Sequence, residues 1–425
     1  MLMTIFAILL ALSVPIGITV GIVAITPTLT DPFFPATATY VVQAMASGVD
    51  SFPLLAIPMF ILSGVIMAKG GVSKKLFDVF AYFLGNVPGG MICAVIATCL
   101  FYGAISGSAP ATVAAVGGMT MPILMELGYR KDFCAATVAV AGGLGVIIPP
   151  SIPFVLYGMS SGASVSKLFT GGIIPGFLIA ACLMCYAVFY CVRYGEDKEK
   201  IAAVVGVLHE RGAFTLFRES FWALLSPVII LGSIYGGIAS PTEAATISVF
   251  YALLVSICLY KTLKVSELGA LVVESVKTYG PLLFILAAAS AFAKIMALLD
   301  VPSAVNGFIT TTFTEKWTII LAINIFLLFV GMVMDTGPAI LLLTPILWPI
   351  MQALGVDIIH FGVAMVTNLA IGFVTPPMGV NLFVSSRLTG IPVMSIARNA
   401  APYIATFLVA LVLIVVFPGI TLYLQ

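Results

Sequence analysis

The sequence predicts an all-α polytopic membrane protein with about eleven transmembrane helices and two re-entrant hairpins. Charged residues are 8% of the 425 positions, apolar residues are 61%, and the mean hydropathy is +1.21. A soluble domain has about 25% charged residues, because its surface must be hydrated. So few charges cannot cover a body of this size, and lipid is the expected solvent. The alternating pattern of a transmembrane β-barrel is missing, so we expect helices.

Apolar stretches of about 18 residues or more, enough to cross a ~30 Å hydrocarbon core, fill most of the chain. The first one lacks a preceding basic region and a small-residue cleavage site, so we interpret it as a span and not as a signal peptide. The predicted spans cover about 3–27, 53–69, 88–105, 133–165, 168–192, 220–238, 241–260, 279–298, 316–334, 358–386 and 400–424.

Two further apolar stretches, about 108–127 and 338–354, have prolines near both ends. They are too short and too interrupted to cross comfortably, so we interpret them as re-entrant hairpins. Non-helical backbone at this depth is tolerated only where protein or water surrounds it.

A polar segment, 193–219, divides the chain into a first repeat, 1–192, and a second repeat, 220–425. Its Lys and Arg residues favour the cytoplasmic side, and its length suits an amphipathic interfacial connector. Residues 72–86 and 264–277 have the composition of similar in-plane pieces.

The two repeats superpose when the sequence is shifted by 227 or 228 positions. Five prolines match within about 100 positions, which chance between two apolar halves rarely produces. Duplicated halves with interrupted helices in matching places indicate the central site of a transporter. Whether the repeats are inverted is left as a hypothesis. The matched pairs are Pro53 with Pro281, Pro110 with Pro338, Pro122 with Pro349, Gly128 with Gly355, Gly145 with Gly372, and Pro149-Pro150 with Pro376-Pro377.

The segments GAISGSAP (103–110) and GMVMDTGPAILLLTP (331–345) each place small polar residues before a helix with an early proline. The free N–H groups of a helix N-terminus suit an anion, and the carbonyls ending the preceding arm suit Na⁺. Ser106, Ser108 and Thr336 add hydroxyl oxygens. Helix capping is the alternative interpretation, but two copies at matched positions favour a binding site.

The segments GLGVIIPPS (143–151) and IGFVTPPMGVN (371–381) each contain a double proline, which interrupts a helix. We therefore expect broken helices at 145–153 and 372–380. The carbonyls of Gly145, Ile148, Gly372 and Thr375 should lose their helical partners and become available to an alkali cation. A proline kink bridged by water is the alternative.

Two ionisable residues lie within apolar runs, where charges are costly and usually face a cavity or a partner. Asp335 is predicted at the tip of the second hairpin, opposite Gly107 in the first repeat. Lys294 either takes part in the site or extends to a nearby interface. Glu243, after Ser240, is interpreted as part of a capping box. No nucleotide-binding loop, metal cluster or catalytic triad is present in the sequence, so we predict no enzyme activity.

The combination of SGSAPATVAAVG, GGLGVIIPPSIPF, GIASPTEAA, MDTGPAILLLTPI and GFVTPPMGVNLFV resembles the large membrane subunit, of the M or DctM type, of TRAP (tripartite ATP-independent periplasmic) transporters. The resemblance covers essentially the whole chain. It implies Na⁺-driven import of organic acids, such as sialic acid or a C4-dicarboxylate, across the bacterial inner membrane. It also implies elevator-type transport and scaffold domains, a small four-helix membrane subunit and a periplasmic substrate-binding protein as partners.

The resemblance also implies which residues form the sites. The first Na⁺ site would use Ser106 and Ser108 with the carbonyls of Gly145, Ile148 and Pro150. The second would use Thr336 with carbonyls around Gly372, Thr375 and Met378. The substrate would contact Asp335, Lys294, Ser151 and Asn381.

A binding-protein-independent Na⁺/dicarboxylate transporter with similar hairpins is the alternative. Its hairpin tips typically carry Ser-Asn-Thr, whereas this chain has SGS and DTG. A channel or structural scaffold is a weaker alternative, because neither needs matched broken helices.

Overall fold

The computed structural model describes residues 2–12, 14–312 and 315–425. Within them the chain is helical throughout, with no strand. The helices of the first half are α1 (Leu2–Ala11), α2 (Ile16–Thr30), α3 (Ala38–Val49), α4 (Ala56–Lys69), α5 (Val72–Leu84), α6 (Gly90–Ser106), α7 (Ala109–Glu126), α8 (Lys131–Ala141), α9 (Ile152–Ser161) and α10 (Val165–Tyr194).

The second half follows a short connecting helix, α11 (Lys198–Arg211). Its helices are α12 (Ala213–Tyr235), α13 (Pro241–Leu253), α14 (Leu268–Leu298), α15 (Val301–Thr312), α16 (Lys316–Val333), α17 (Thr336–Ala353), α18 (Ile358–Gly372), α19 (Val380–Thr389), α20 (Val393–Val416) and α21 (Gly419–Leu422).

The all-α membrane fold predicted from the sequence is confirmed. Eight helices in the described part of the chain are long and apolar enough to cross a bilayer, and four shorter apolar helices accompany them. The predicted count of about eleven spans includes helices that the structure divides or pairs as hairpin arms.

Several predicted boundaries are wrong. The first stretch, 3–27, is two helices, α1 and α2, because Pro15 is not in a helical conformation and stands at the N-cap position of α2. Residues 264–277 are not a separate in-plane piece, since α14 runs unbroken from Leu268 to Leu298. Each stretch predicted as a re-entrant hairpin is a single arm, α7 or α17, whose partner arm is the preceding helix.

Side chains that satisfy free backbone groups explain where several helices begin. Ser240 and Glu243 form the predicted capping box at α13, with the Ser240 N–H donating to Glu243 Oε2 at 2.7 Å. Asp357 accepts from two backbone N–H groups at the start of α18. Both devices satisfy donors that would otherwise remain unpaired.

The connector is shorter than the predicted 193–219, because α12 already begins at Ala213. Asp197 caps α11 by accepting from the Lys200 N–H at 3.2 Å, and this hydrogen bond lowers the pKa of the Asp197 carboxyl. Glu196 accepts from the Gly89 N–H at 2.8 Å and from the Tyr129 hydroxyl. The end of α10 is thereby fixed to the two turns that flank the α6–α7 hairpin.

Candidate functional site

The first hairpin consists of α6 and α7, which meet at a tight turn. Gly107 has φ +61, a left-handed conformation that favours glycine, and its N–H donates to Gly103 O at 2.9 Å. Ser108 occupies the N-cap position of α7, but its side chain makes no capping hydrogen bond. Ser106 Oγ lies 2.9 Å from Thr112 Oγ1, and Thr112 Oγ1 donates to Ser108 O at 2.8 Å. The turn therefore gathers three oxygens, which the capping interpretation does not explain.

The first broken helix, between α8 and α9, packs directly against this turn. A Cβ on Gly145 would lie 2.5 Å from Thr112 Oγ1 and 2.8 Å from Ser108 O. A Cβ on Gly103 would lie 2.7 Å from Gly145 Cα. All three separations are shorter than real Cβ contacts, so the hairpin and the break are in direct contact, and Gly103 and Gly145 touch backbone to backbone.

The second half of the double-proline segment continues along the same turn. The Pro150 carbonyl lies 2.8 Å from where a Gly107 Cβ would be, and the Ile152 N–H donates to Gly107 O at 3.3 Å. Ile148 lies two residues before Pro150, and its N–H donates to Leu144 O at 3.0 Å. The carbonyl of Pro150 is thus adjacent to the hairpin tip.

The second hairpin consists of α16 and α17. Asp335 is the N-cap residue of α17, with φ −65, and its side chain is exposed. Thr336 is buried, and its Oγ1 donates to Asp335 Oδ1 at 3.3 Å. The predicted tip position of Asp335 therefore agrees with the helix bounds.

The second broken helix, between α18 and α19, repeats the close approach. A Cβ on Gly372 would lie 2.3 Å from both C and O of Gly331. Gly103 and Gly145 in the first half correspond to Gly331 and Gly372 under the sequence shift. The structure thus has one glycine crossing in each half, between a hairpin arm and a break.

One detail of the second break differs from the sequence prediction. The Gly372 carbonyl does not lose its partner, because it accepts from the Thr375 N–H at 3.2 Å in a tight turn. Thr375 Oγ1 donates to Ile371 O at 2.8 Å, and the Met378 N–H donates to Met332 O at 3.0 Å. The break is therefore connected to α16 by hydrogen bonds.

The two tips open onto the same cavity, which has a volume of about 680 Å³. Both breaks also contribute, through Val146 and Phe373, and α9, α4 and α14 complete the walls. A Cβ on Gly337 at the second tip would lie 3.4 Å from Leu156 and 3.6 Å from Leu282, which places α9 and α14 beside it. The residues contributed by the tips are Ser106, Gly107, Ser108, Asp335, Thr336 and Gly337.

Three of the other predicted site residues lie away from this cavity. Lys294 is exposed on α14, and its Nζ donates to Ser47 Oγ at 3.0 Å. Ser151 is fully buried, donates to Val146 O at 2.5 Å and accepts from the Phe154 N–H, so it caps α9.

Asn381, the third, is also fully buried, and its Nδ2 donates to Ala139 O at 2.9 Å. This hydrogen bond joins α19 to α8 across the two halves. The structure thus brings Ser106, Ser108, Asp335 and Thr336 together, whereas the side chains of Ser151, Asn381 and Lys294 have other partners.

Sequence reasoning missed four polar residues of the site. Thr112 belongs to the oxygen cluster of the first tip, and Lys69, Glu274 and Thr278 line the cavity. Glu274, Thr278 and Leu282 follow one helical face at a spacing of four. This face cannot be recognised from the sequence when residues 264–277 are interpreted as an in-plane piece, because that interpretation separates Glu274 from Thr278 and Leu282.

Comparison with known proteins places this architecture in a family. The model of the "Tripartite ATP-independent periplasmic transporter, DctM component" matches residues 3–420. The isethionate TRAP transporter permease protein DctMQ of Oleidesulfovibrio alaskensis is 42% identical over 98% of this chain, which spans 65% of that relative's length. The C4-dicarboxylate TRAP transporter large permease protein DctM of Pseudomonas aeruginosa is 37% identical over 88% of this chain and 86% of its own.

Among solved structures, the YdaH transporter of Alcanivorax borkumensis aligns with a TM-score of 0.65 over 99% of this chain and 98% of its own, at 15% identity. That likeness concerns the fold. From the family match and the relatives, the chain belongs to the DctM component family of tripartite ATP-independent periplasmic transporters and is a multi-pass protein of the inner membrane.

Proposed function

We propose that this chain carries a small organic acid into the cell, coupled to Na⁺, with the cargo held between the two hairpin tips. The observation that supports the proposal best is the shared cavity of about 680 Å³, onto which both tips open. A cavity of this volume suits a small molecule. The DctM family is a family of transport permeases, so the proposal concerns the cargo, its coupling ion and the residues that hold them.

The proposed first Na⁺ site is at the tip of the α6–α7 hairpin. Hydroxyl and carbonyl oxygens are the ligands that a hard cation takes, and Ser106, Thr112 and Ser108 gather three such oxygens there. The carbonyls of Gly145, Ile148 and Pro150 would complete the ligand set. The residues of the turn fit the ion, because they bring hydroxyl and carbonyl oxygens together: Thr112 Oγ1 lies 2.9 Å from Ser106 Oγ and 2.8 Å from Ser108 O.

The proposed second Na⁺ site is at the tip of the α16–α17 hairpin. Thr336 Oγ1 would supply a hydroxyl oxygen, and carbonyls around Gly372, Thr375 and Met378 the others. Because the Gly372 carbonyl already accepts a hydrogen bond at 3.2 Å, it would use its second lone pair here. The carboxylate of Asp335 lies next to this site.

The cargo in this proposal lies between the N-termini of α7 and α17, whose partial positive charges favour an acid group. Asp335 would accept hydrogen bonds from hydroxyl groups of the cargo and balance the charge of Na⁺. The names of the relatives mention isethionate and C4-dicarboxylate, which have an acid group in common. We therefore propose a small carboxylate or sulfonate as the cargo class.

Contacts at the two ends of α10 support an inverted relation of the repeats. A Cβ on Gly128, at the base of the first hairpin, would lie 3.8 Å from Asp197 Cβ, next to the connector. At the base of the second hairpin, Trp348 stacks on Phe361 in α18, and a Cβ on the next residue, Gly362, would lie 2.8 Å from Leu168, near the Val165 end of α10. Two hairpins that enter the membrane from opposite faces suit alternating access of the cargo to the two sides. We propose that an elevator motion of the transport domain provides this alternating access.

We propose that the chain works with a small four-helix membrane subunit and a periplasmic binding protein, as the family does. With the connector in the cytoplasm, the cavity in this structure would open inward. In this proposal its mouth is at the Lys69 end of α4, because α5, which follows, contacts the connector region: Lys75 Nζ lies 3.9 Å from Glu219 Oε2, and Arg211 Nη1 lies 3.9 Å from Asp78 Oδ2.

Asp335→Ala tests the proposal in proteoliposomes containing the chain, its membrane subunit and the binding protein. With labelled isethionate and succinate as probes, we expect initial uptake to fall at least about 100-fold, because the negative charge and the hydrogen-bond acceptors of the carboxylate at the site disappear. Glu210→Ala, an exposed position on the connector, is the matched control and should transport normally. Normal uptake by Asp335→Ala would remove Asp335 from the site.

A further inference from the structure

The walls of the cavity carry one cationic side chain among the residues that the structure describes. Lys69 ends α4, and the other charged lining residues are Glu274 and Asp335. No hydrogen bond or ion pair joins the Lys69 ammonium to another described residue, and the side chain is exposed. We assign this cavity to an anion, and an unpaired ammonium lies on its wall. The proposed site at the hairpin tips gives this ammonium no role.

The position of Lys69 along the pathway follows from helix geometry. Gly64 in α4 lies at the level of the first tip, since its Cβ would be 3.1 Å from Ser106 Cα. Lys69 is five residues further along, about 7.5 Å toward the mouth at 1.5 Å per residue. Its side chain thus lies between the tips and the connector side, where a leaving cargo passes.

The opposite wall carries Glu274. Leu282 in α14 lies at the level of the second tip, because it neighbours the Gly337 position at 3.6 Å. Glu274 is eight residues nearer the mouth, about 12 Å at the same rise per residue. By these rises, Lys69 lies nearer to the first tip than Glu274 lies to the second.

We propose that the Lys69 ammonium is a binding subsite for the acid group of the cargo, between the hairpin tips and the connector-side mouth. The ligand class is a carboxylate or sulfonate, whose oxygens accept charge-assisted hydrogen bonds from an ammonium. A single ammonium binds one acid group, and the repulsion from Glu274 keeps the residence short. This inference rests on the proposed function, in which the cavity carries an anion.

The first experiment measures anion attraction without needing the natural cargo. Ala114 faces the cavity from α7 and is exposed, so Ala114→Cys provides a reporter thiol. Its labelling rate is measured, by mass spectrometry of its peptide, with anionic 2-sulfonatoethyl methanethiosulfonate and with neutral methyl methanethiosulfonate. The ratio of the two rates reports the local concentration of a sulfonate.

Adding Lys69→Gln to this background should lower the ratio of anionic to neutral rates about fivefold, whereas Lys69→Arg should keep it within about twofold. Lys277→Gln is the matched control, because it removes the same charge from α14 at a residue that does not line the cavity. An unchanged ratio in Lys69→Gln, or an equal fall in Lys277→Gln, would overturn the proposal.

The second experiment follows the cargo itself. In the reconstituted transporter, Lys69→Gln should raise the isethionate or succinate concentration that half-saturates counterflow from the connector side about tenfold, with Lys277→Gln unchanged. If Lys69→Gln behaves like the wild type while Asp335→Ala abolishes uptake, the Lys69 subsite is wrong and the proposed function stands. If Asp335→Ala transports normally but Lys69→Gln lowers the labelling ratio, Asp335 is removed from the proposed cargo site and the Lys69 subsite stands.

Discussion

The two hairpin tips share a helix–turn–helix arrangement but differ in backbone conformation and in chemistry. At matched positions, Gly107 adopts φ +61 and carries no side chain, whereas Asp335 adopts φ −65 and carries an exposed carboxylate. The first tip gathers neutral oxygens from Ser106, Ser108 and Thr112. Because both tips form, folding does not require the carboxylate. Under the proposed function, the oxygens common to both tips would bind Na⁺ in each half, and the carboxylate that only the second tip has would face the cargo.

The largest expected effect concerns the glycine crossings. Gly372→Ala would put a Cβ 2.3 Å from the Gly331 backbone, which cannot move without displacing α16. Gly145→Ala would meet Thr112 Oγ1 at 2.5 Å and Ser108 O at 2.8 Å, so a side-chain rotation relieves part of the clash. We expect Gly372→Ala to destabilise the protein by about 3 kcal/mol or more, and Gly145→Ala by less.

Thermal unfolding in detergent measures whether Gly372→Ala loses more stability than Gly145→Ala. Gly232→Ala is the control, because nothing lies within 4 Å of its Cβ position in α12, and it should stabilise slightly through helix propensity. Equal losses for Gly145→Ala and Gly372→Ala would contradict the difference between the crossings.

The next largest expected effect concerns the Na⁺ dependence of uptake when a hydroxyl is removed from either tip. Ser106→Ala and Thr336→Ala each remove one hydroxyl oxygen from a proposed Na⁺ site. We expect each to raise the Na⁺ concentration for half-maximal uptake about tenfold, as the loss of one strong polar contact does. Thr170→Ala, which removes a hydroxyl bonded within α10, is the control. An unchanged Na⁺ response in both variants would count against both sites.

The smallest effect concerns the helices that follow the breaks. Ser151 caps α9, whereas α19 has Gly379 at its N-cap position and no side-chain cap. Ser151→Ala should cost about 1 kcal/mol of stability, the usual value of an N-cap, with the cargo concentration for half-maximal uptake unchanged. A rise in that concentration at constant thermal stability would instead place Ser151 at the cargo, as the family resemblance implies.

The membrane fold, the two tips and the breaks were predictable, because prolines, glycines and hydroxyls at matched spacing leave a strong local signal. The capping box of Ser240 and Glu243 is confirmed for the same reason. Lys69 and Glu274 were not predictable, since their role depends on which helices pack around the cavity. Ser151 and Asn381 have local signals that a structural cap and an interhelical amide explain equally well.

The continuous course of α14 was also missed. Residues 268–277 contain charged residues that suit an interface, and Pro281 suggests a boundary after them, yet the helix continues through both. Tertiary packing against α2, α3 and α4 outweighs these local preferences. Unless α14 is known to be continuous, the sequence does not show that Glu274 and Thr278 line the cavity.

The glycine crossings have a consequence for how the protein tolerates sequence change. Where two backbones touch, their separation is fixed by van der Waals radii and is independent of the rotamers of neighbouring residues. Apolar neighbours can therefore be exchanged over evolutionary time without altering the distance between a tip and its break. Family members that differ widely in cargo can keep the same frame, provided that Gly103, Gly145, Gly331 and Gly372 stay without side chains.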